Sequence, residues 1–133
     1  METTNQIYKI LVAEDDVFLA KIYAMKLEKY NFQVIVVSDG QQVLDYLHTD
    51  IPDIILLDVM MPVKDGFTTL EEIKKDSKWA KIPIIIASNL GQKEDITKGQ
   101  QLGANDYIVK SDTSLDSVVQ KILALLPKPV IDN

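Results

Sequence analysis

The sequence predicts an α/β fold, a parallel sheet sandwiched between helices, and three observations carry that expectation. Five short runs rich in Ile and Val recur along the chain, helical stripes fall between them, and the two alternate from one end to the other. The central runs are apolar at nearly every position, as strands covered on both faces must be. Strand–helix–strand units of this kind connect through right-handed crossovers into a doubly wound sheet. The chain has 133 residues, 47% hydrophobic and 26% charged, which fits one globular domain. We expect a single domain over 1–133, with a core at about 7–126 and short tails at 1–6 and 127–133.

The first strand is expected at Ile7–Ala13. Leu19, Ile22, Tyr23, Leu27 and Tyr30 then form a stripe at helical spacing, predicting a helix with one buried face. Phe32–Val37 is the second strand. Asp39 is an N-cap candidate for a shorter helix marked by Val43, Leu44 and Leu47. Ile54–Leu57 is the third strand, followed after Asp65-Gly66 by a helix marked by Phe67, Leu70 and Ile73. Trp79 reads as packing and His48, the only histidine, as a surface helix residue. Ile84–Ala87 is the fourth strand. The helix at Gln92–Leu102 has only Ile96 and Leu102 as bulky apolar residues and contains Gly99. Few side chains hold it down, so we expect it to be the mobile element. Tyr107–Val109 is the fifth strand, and Leu115, Val118, Val119, Ile122 and Leu126 mark a final helix ended by Pro127.

Composition excludes several functions. Twenty acidic against 14 basic residues give a net charge of −6, the wrong sign for direct nucleic-acid binding. With no cysteine there is no disulfide, thiolate metal site or Cys nucleophile. The acidic, polar start Met1–Gln6 is unlike a signal peptide, and no apolar run approaches the roughly 18–20 residues that span a bilayer. A cytoplasmic protein without membrane insertion is expected.

In open parallel sheets, ligands bind at the carboxyl ends of the strands. There the sequence places Glu14-Asp15-Asp16, Ser38-Asp39, Asp58, Ser88-Asn89 and Lys110. Asp16 and Asp39 read as helix caps. Asp58 follows four apolar residues and precedes Val59-Met60-Met61-Pro62, so nothing near it in sequence solvates or pairs with it. Two carboxylates about 5 Å apart repel by roughly 3 kcal/mol at an effective dielectric of about 20. Gathering three requires cations: Lys110 supplies one, and a hard divalent ion would supply the rest. Oxygen-only donors point to Mg²⁺, with Mn²⁺ also suited, and hence to phosphate chemistry without a glycine-rich loop.

Four motifs now bear on identity: Lys9-Ile-Leu-Val-Ala-Glu-Asp-Asp16, Asp53-Ile-Ile-Leu-Leu-Asp-Val-Met-Met-Pro-Val-Lys-Asp-Gly66, Pro83-Ile-Ile-Ile-Ala-Ser88 and Gly103-Ala-Asn-Asp-Tyr-Ile-Val-Lys110. In order, with 43, 30 and 22 residues separating Asp15, Asp58, Ser88 and Lys110, they resemble the receiver domain of two-component response regulators. The resemblance runs from Lys9 to about Leu126. It implies a flavodoxin-like five-stranded sheet of order 2-1-3-4-5 in three αβα layers. It also implies that Asp58 accepts a phosphoryl group from a histidine kinase or histidine phosphotransfer protein, a phosphoacceptor role rather than an enzyme's. Asp15, Asp58, Glu14 through water and the Met60 main-chain carbonyl would hold Mg²⁺. Lys110 would pair with phosphoryl oxygens, the Ser88 hydroxyl would swing in to bond one, and inward rotation of Tyr107 would accompany activation. A downstream protein would meet the 92–102 helix, the Tyr107 strand and the face of the 113–126 helix.

Two positions depart from the family pattern. Ser111 stands where proline usually follows the lysine, and a cis bond there costs roughly 3–4 kcal/mol rather than about 0.5–1; a trans bond and a shifted loop are expected. Asn89 is larger than the usual Ala or Gly and suggests restricted access for small phosphodonors. Met60 and Leu90, both apolar, cannot orient a water, which suggests a long-lived phosphoryl group. With only six residues after Pro127, a stand-alone receiver is expected. A haloacid-dehalogenase-type phosphohydrolase needs a second Asp at position 60, which is Met, and a flavodoxin-like FMN carrier needs hydroxyls where Glu14-Asp15-Asp16 stand. The main rival is a degenerate receiver that binds partners without phosphorylation.

Overall fold

The structure, a computed structural model, describes residues 7–127; the N-terminal tail and all of the C-terminal tail except Pro127 lie outside the described residues. The chain alternates β1 (Lys9–Ala13), α1 (Val17–Glu28), β2 (Gln33–Val37), α2 (Gly40–Leu47), β3 (Ile54–Leu57), α3 (Gly66–Lys75), β4 (Ile84–Ser88), α4 (Lys93–Gln101), β5 (Asp106–Val109) and α5 (Leu115–Leu125). A 3₁₀ turn at Lys110–Asp112 links β5 to α5. All strand pairs are parallel, in the order β2-β1-β3-β4-β5. The predicted class and order are therefore observed.

Side chains alternate across each strand, so one sheet serves two cores. Ile10, Val12, Ile54, Leu56, Ile85, Ala87 and Ile108 face α1 and α5, where they meet Tyr23, Leu27, Val118, Val119 and Ile122. Leu11, Ala13, Ile55, Leu57, Ile84 and Ile86 face the opposite layer, with Val43, Leu44 and Leu47 of α2 and Phe67, Leu70 and Ile73 of α3. Every residue of β3 and β4 is buried, which is why these segments carry no alternation in sequence. At about 1.5–3 kcal/mol per buried Leu or Ile, these central strands anchor the fold. Trp79 is buried in the second core with the exposed His48 ring against its edge, centroids 4.9 Å apart.

The caps expected at Asp16 and Asp39 form, Asp16 accepting from the Phe18 and Leu19 amides and Asp39 from Gln42, and Asp65 also caps α3 by accepting from Thr68. The face of α1 follows the sequence in part: Tyr23 and Leu27 are buried and Leu19 packs against the core as expected. Ala20, Tyr23 and Leu27 are its buried residues, whereas Ile22 is exposed and Tyr30 lies past the helix end, also exposed. Apolar residues surround α1, with Val17, Phe18 and Met25 exposed as well, so the expected stripe runs past the edge of the face that the sheet covers. β1 begins at Lys9, leaving Ile7 exposed, and β5 gains Asp106. No described peptide bond is cis, Lys110–Ser111 included.

Candidate functional site

The site forms because parallel strands end together. Past β1 the Glu14 amide donates to Val37 O, and past β3 the Asp58 amide donates to Ala13 O, both at 3.0 Å, which fixes the two acids side by side. Glycine at 66 is required here: a Cβ would lie 2.1 Å from the Asp58 carbonyl oxygen, so only glycine lets the start of α3 lie this close to the Asp58 backbone. Suitably placed oxygens of Glu14, Asp15 and Asp58 lie within 4.8 Å of one another, the first and last buried and Asp15 exposed at the mouth.

Lys110, carried across by β5, closes the pocket. Its Nζ lies 2.6 Å from Glu14 Oε1 and 3.1 Å from Asp58 Oδ2. Burial lowers the affinity of this ammonium for its proton, but hydrogen bonds and charges of Glu14 and Asp58 together outweigh it and hold Lys110 above the usual lysine range. Glu14 shows the opposite balance. Burial raises its carboxyl, and the hydrogen bonds from Lys110 and the Asp16 amide do not compensate. Two buried acids share one ammonium, and the pocket keeps an excess of negative charge.

The oxygens left over say what it can hold. Glu14 Oε1 accepts from Lys110 and Oε2 from the Asp16 amide at 3.1 Å. Asp58 Oδ1 accepts from the Val59 amide at 2.8 Å. Asp15 makes no hydrogen bond or ion pair among the described residues, and the Met60 carbonyl accepts none. An exposed free carboxylate beside a buried one, with a free main-chain carbonyl in the adjoining loop, is an oxygen donor set suited to a hard divalent cation. Glu14, with both oxygens engaged, is suited to an outer position.

The remaining predicted residues line the same rim. Ser88 is buried, and its Oγ accepts from the Leu90 amide at 3.1 Å. The half-buried Tyr107 donates its hydroxyl to the Leu90 carbonyl, and burial, then the charge of Asp95, raises its phenol. Met60 is exposed at the mouth and Leu90 half-buried. Asn89 is exposed, and its Oδ1 accepts from the Ser111 amide at 3.1 Å, a contact the sequence did not suggest. The signal was that both departures from the pattern directly follow site residues.

A doubly wound sheet whose strand ends gather three acids against one lysine defines an α/β domain with a charged binding pocket at its carboxyl edge. The family model for the response regulator receiver domain matches residues 10–122, and the chain belongs to that family. The transcriptional regulatory protein CpxR of Escherichia coli K12 is 39% identical over 117 residues, covering 86% of this chain and 49% of CpxR. The receiver domain of the Francisella response regulator 1452 superposes with a TM-score of 0.82 at 32% identity, covering 89% of this chain and 95% of that one. The Mn²⁺-bound form of the response regulator Rcp1 superposes with a TM-score of 0.80 at 26% identity, covering 91% and 99%. The chain spans about half the length of the curated relatives it matches.

Proposed function

We propose that this domain accepts a phosphoryl group on Asp58 from a phosphohistidine donor, a histidine kinase or a histidine phosphotransfer protein, and changes its partner-binding surface in response. The observation that carries this is Asp58 itself: a buried carboxylate in reach of Lys110 and beside a donor set suited to Mg²⁺. A carboxylate nucleophile needs no general base. Asp58 forms a bond to phosphorus as the phosphorus–nitrogen bond of the donor breaks, and the departing imidazole keeps the electron pair and takes a proton from water. Lys110, no longer shared by acids alone, bonds an equatorial phosphoryl oxygen, and Ser88 leaves the Leu90 amide to donate to another.

Asp15, Asp58 and the Met60 carbonyl would hold Mg²⁺ directly and Glu14 through water; bound there, the ion offsets charge at the phosphoryl oxygens. That the similar Rcp1 has an Mn²⁺-bound form supports a divalent ion for this domain. Release of Leu90 by Ser88 is how phosphorylation reaches the surface, because the Leu90 carbonyl also holds the Tyr107 hydroxyl. The responsive face is α4, β5 and α5, where a downstream protein would dock. The domain assists its own phosphorylation and dephosphorylation without turning over a separate substrate. A cytoplasmic setting suits a phosphohistidine donor, and no helix among the described residues is long and apolar enough to cross a membrane. CpxR, a named transcription regulator twice this length, supports DNA contact through a further domain as an alternative to stand-alone output; a net charge of −6 opposes DNA contact by these residues.

The test is intact mass after incubation with Mg²⁺ and candidate histidine kinases with ATP, or with acetyl phosphate. One phosphoryl group is expected on the wild type and none on Asp58→Asn. Incorporation that survives Asp58→Asn, or a wild type inert to every donor, would refute the proposal, the latter favouring the degenerate reading.

A further inference from the structure

The two residues that set this chain apart from the receiver pattern bond to each other. Asn89 directly follows Ser88 and Ser111 directly follows Lys110. The Ser111 amide donates to Asn89 Oδ1 at 3.1 Å, and this bond requires a non-proline residue at 111, because proline has no N–H to give. Within the loops, the Leu90 amide bonds Ser88 Oγ and the Thr113 hydroxyl donates to the Val109 carbonyl at 2.9 Å; outward, the Leu90 carbonyl accepts from the Tyr107 hydroxyl on β5, and Lys110 reaches Glu14 and Asp58. Among the described residues, Asn89–Ser111 is the only hydrogen bond joining the loop after β4 to the turn after β5.

We propose that Asn89 is a positioning residue: its carboxamide ties the Ser88 loop to the Lys110 turn, so that hydroxyl and ammonium meet one phosphoryl group at a set spacing. This rests on the phosphoacceptor reading of Asp58. It also reverses the role that the bulk of Asn89 suggests in the sequence, because the side chain is engaged on Ser111 rather than serving as a barrier to small donors. Without the tie, no hydrogen bond among the described residues joins the Asn89 loop directly to the Lys110 turn, and misplacement of positioning groups lowers rate.

The experiment follows phosphorylation of the full chain by acetyl phosphate in Mg²⁺ for Asn89→Ala, Asn89→Leu, Asn89→Asp, Ser111→Pro and the double variant Asn89→Ala with Ser111→Pro. The tie predicts that Ala and Leu at position 89 both slow the saturated rate about fivefold, the worth of one neutral hydrogen bond, with the half-saturating donor concentration unchanged. Asn89→Asp, which keeps an acceptor oxygen, restores the saturated rate, and Asn89→Ala adds nothing in the Ser111→Pro background. A steric gate predicts the reverse, a faster Ala variant and an unaltered Leu variant, and that result overturns the proposal. Hydrogen exchange at the Ser111 amide reads the tie without any phosphoryl group. It is expected to speed about fivefold in Asn89→Leu while Ile85 and Ile86 amides stay unchanged. Equal exchange in both proteins refutes the tie whatever Asp58 does. A wild type that takes no phosphoryl group from acetyl phosphate or from any histidine kinase with ATP refutes the phosphoacceptor reading instead, and the exchange result still decides the tie.

Discussion

At Glu14 burial raises the carboxyl and Lys110 pulls it back, and burial wins. A folded-state value above the unfolded one means that the fold binds the proton more tightly. The stability this group contributes is therefore full below the unfolded glutamate range and is lost as pH rises through the folded value. Without Mg²⁺, wild type should lose stability relative to Glu14→Gln as pH is raised from about 4 to about 7, and added Mg²⁺ should reverse the order. Urea midpoints across that range measure it, and parallel pH curves for the two proteins would contradict it. Val63, in the loop between Asp58 and α3, has a φ of 69°, where a β-branched residue is strained, and its side chain is 80% exposed. The left-handed conformation costs a non-glycine residue roughly 1–2 kcal/mol, against about 0.5–1 kcal/mol for the extra freedom of glycine. Val63→Gly should thus stabilise by about 0.5–1 kcal/mol, seen as a higher urea midpoint at constant slope. Asn31, at φ 65°, is a residue type that accepts this conformation, and Asn31→Ala should destabilise.

Among the helices, α4 is held least: Gly99 is its only buried residue, whereas α5 buries Val118, Val119 and Ile122. Amide exchange in α4 should accordingly be faster than in α5 in the unphosphorylated protein; equal protection would remove α4 as the mobile element. The glycine that weakens α4 locally is also its docking point, since a Cβ there would lie 2.8 Å from Ile86 Cδ1 and 3.0 Å from Tyr107 Cδ2. Gly99→Ala gains about 1 kcal/mol of helix propensity yet should speed α4 exchange, because the helix must lift off Tyr107. Slower exchange would show that propensity outweighs the contact. These elements also show how far a sequence reading reaches. β3 and β4 were legible because strands buried on both faces leave uninterrupted apolar runs. The face of α1 was legible only at its centre, Leu19, Tyr23 and Leu27, because a helix with apolar residues all round gives several stripes and only the sheet decides where the covered face ends. The pocket acids were legible because parallel strands bring their ends together. That Glu14 rather than Asp15 pairs with Lys110 was hidden, since neighbouring residues differ only in which way the chain turns them. The Asn89–Ser111 bond joins loops 22 residues apart with no periodicity to announce it.

Over the whole molecule, an excess of acidic residues and a crowded pocket act in the same direction. The chain carries −6, so the compact state works against diffuse self-repulsion everywhere and against a concentrated one at the ends of β1 and β3. Those strands are central to both cores, so strain at their ends is felt on each side of the sheet. A divalent cation at the pocket relieves the local part specifically, whereas monovalent salt screens only the diffuse part. Binding to the folded state alone stabilises by about 2.7 kcal/mol at a hundredfold excess of ligand over Kd, which for a chain of this size is a rise in Tm of roughly 10 °C. Thermal unfolding in Mg²⁺ against NaCl of matched ionic strength should show this difference. Asp15→Asn removes the one pocket carboxylate free of other partners and should abolish most of the Mg²⁺ increment, with little effect on the NaCl curve. Asp16→Asn, one residue away and still able to cap α1, should keep the increment. If Mg²⁺ and NaCl raised Tm equally, or if Asp15→Asn kept the full increment, the stabilisation would belong to the chain's overall charge and not to its pocket.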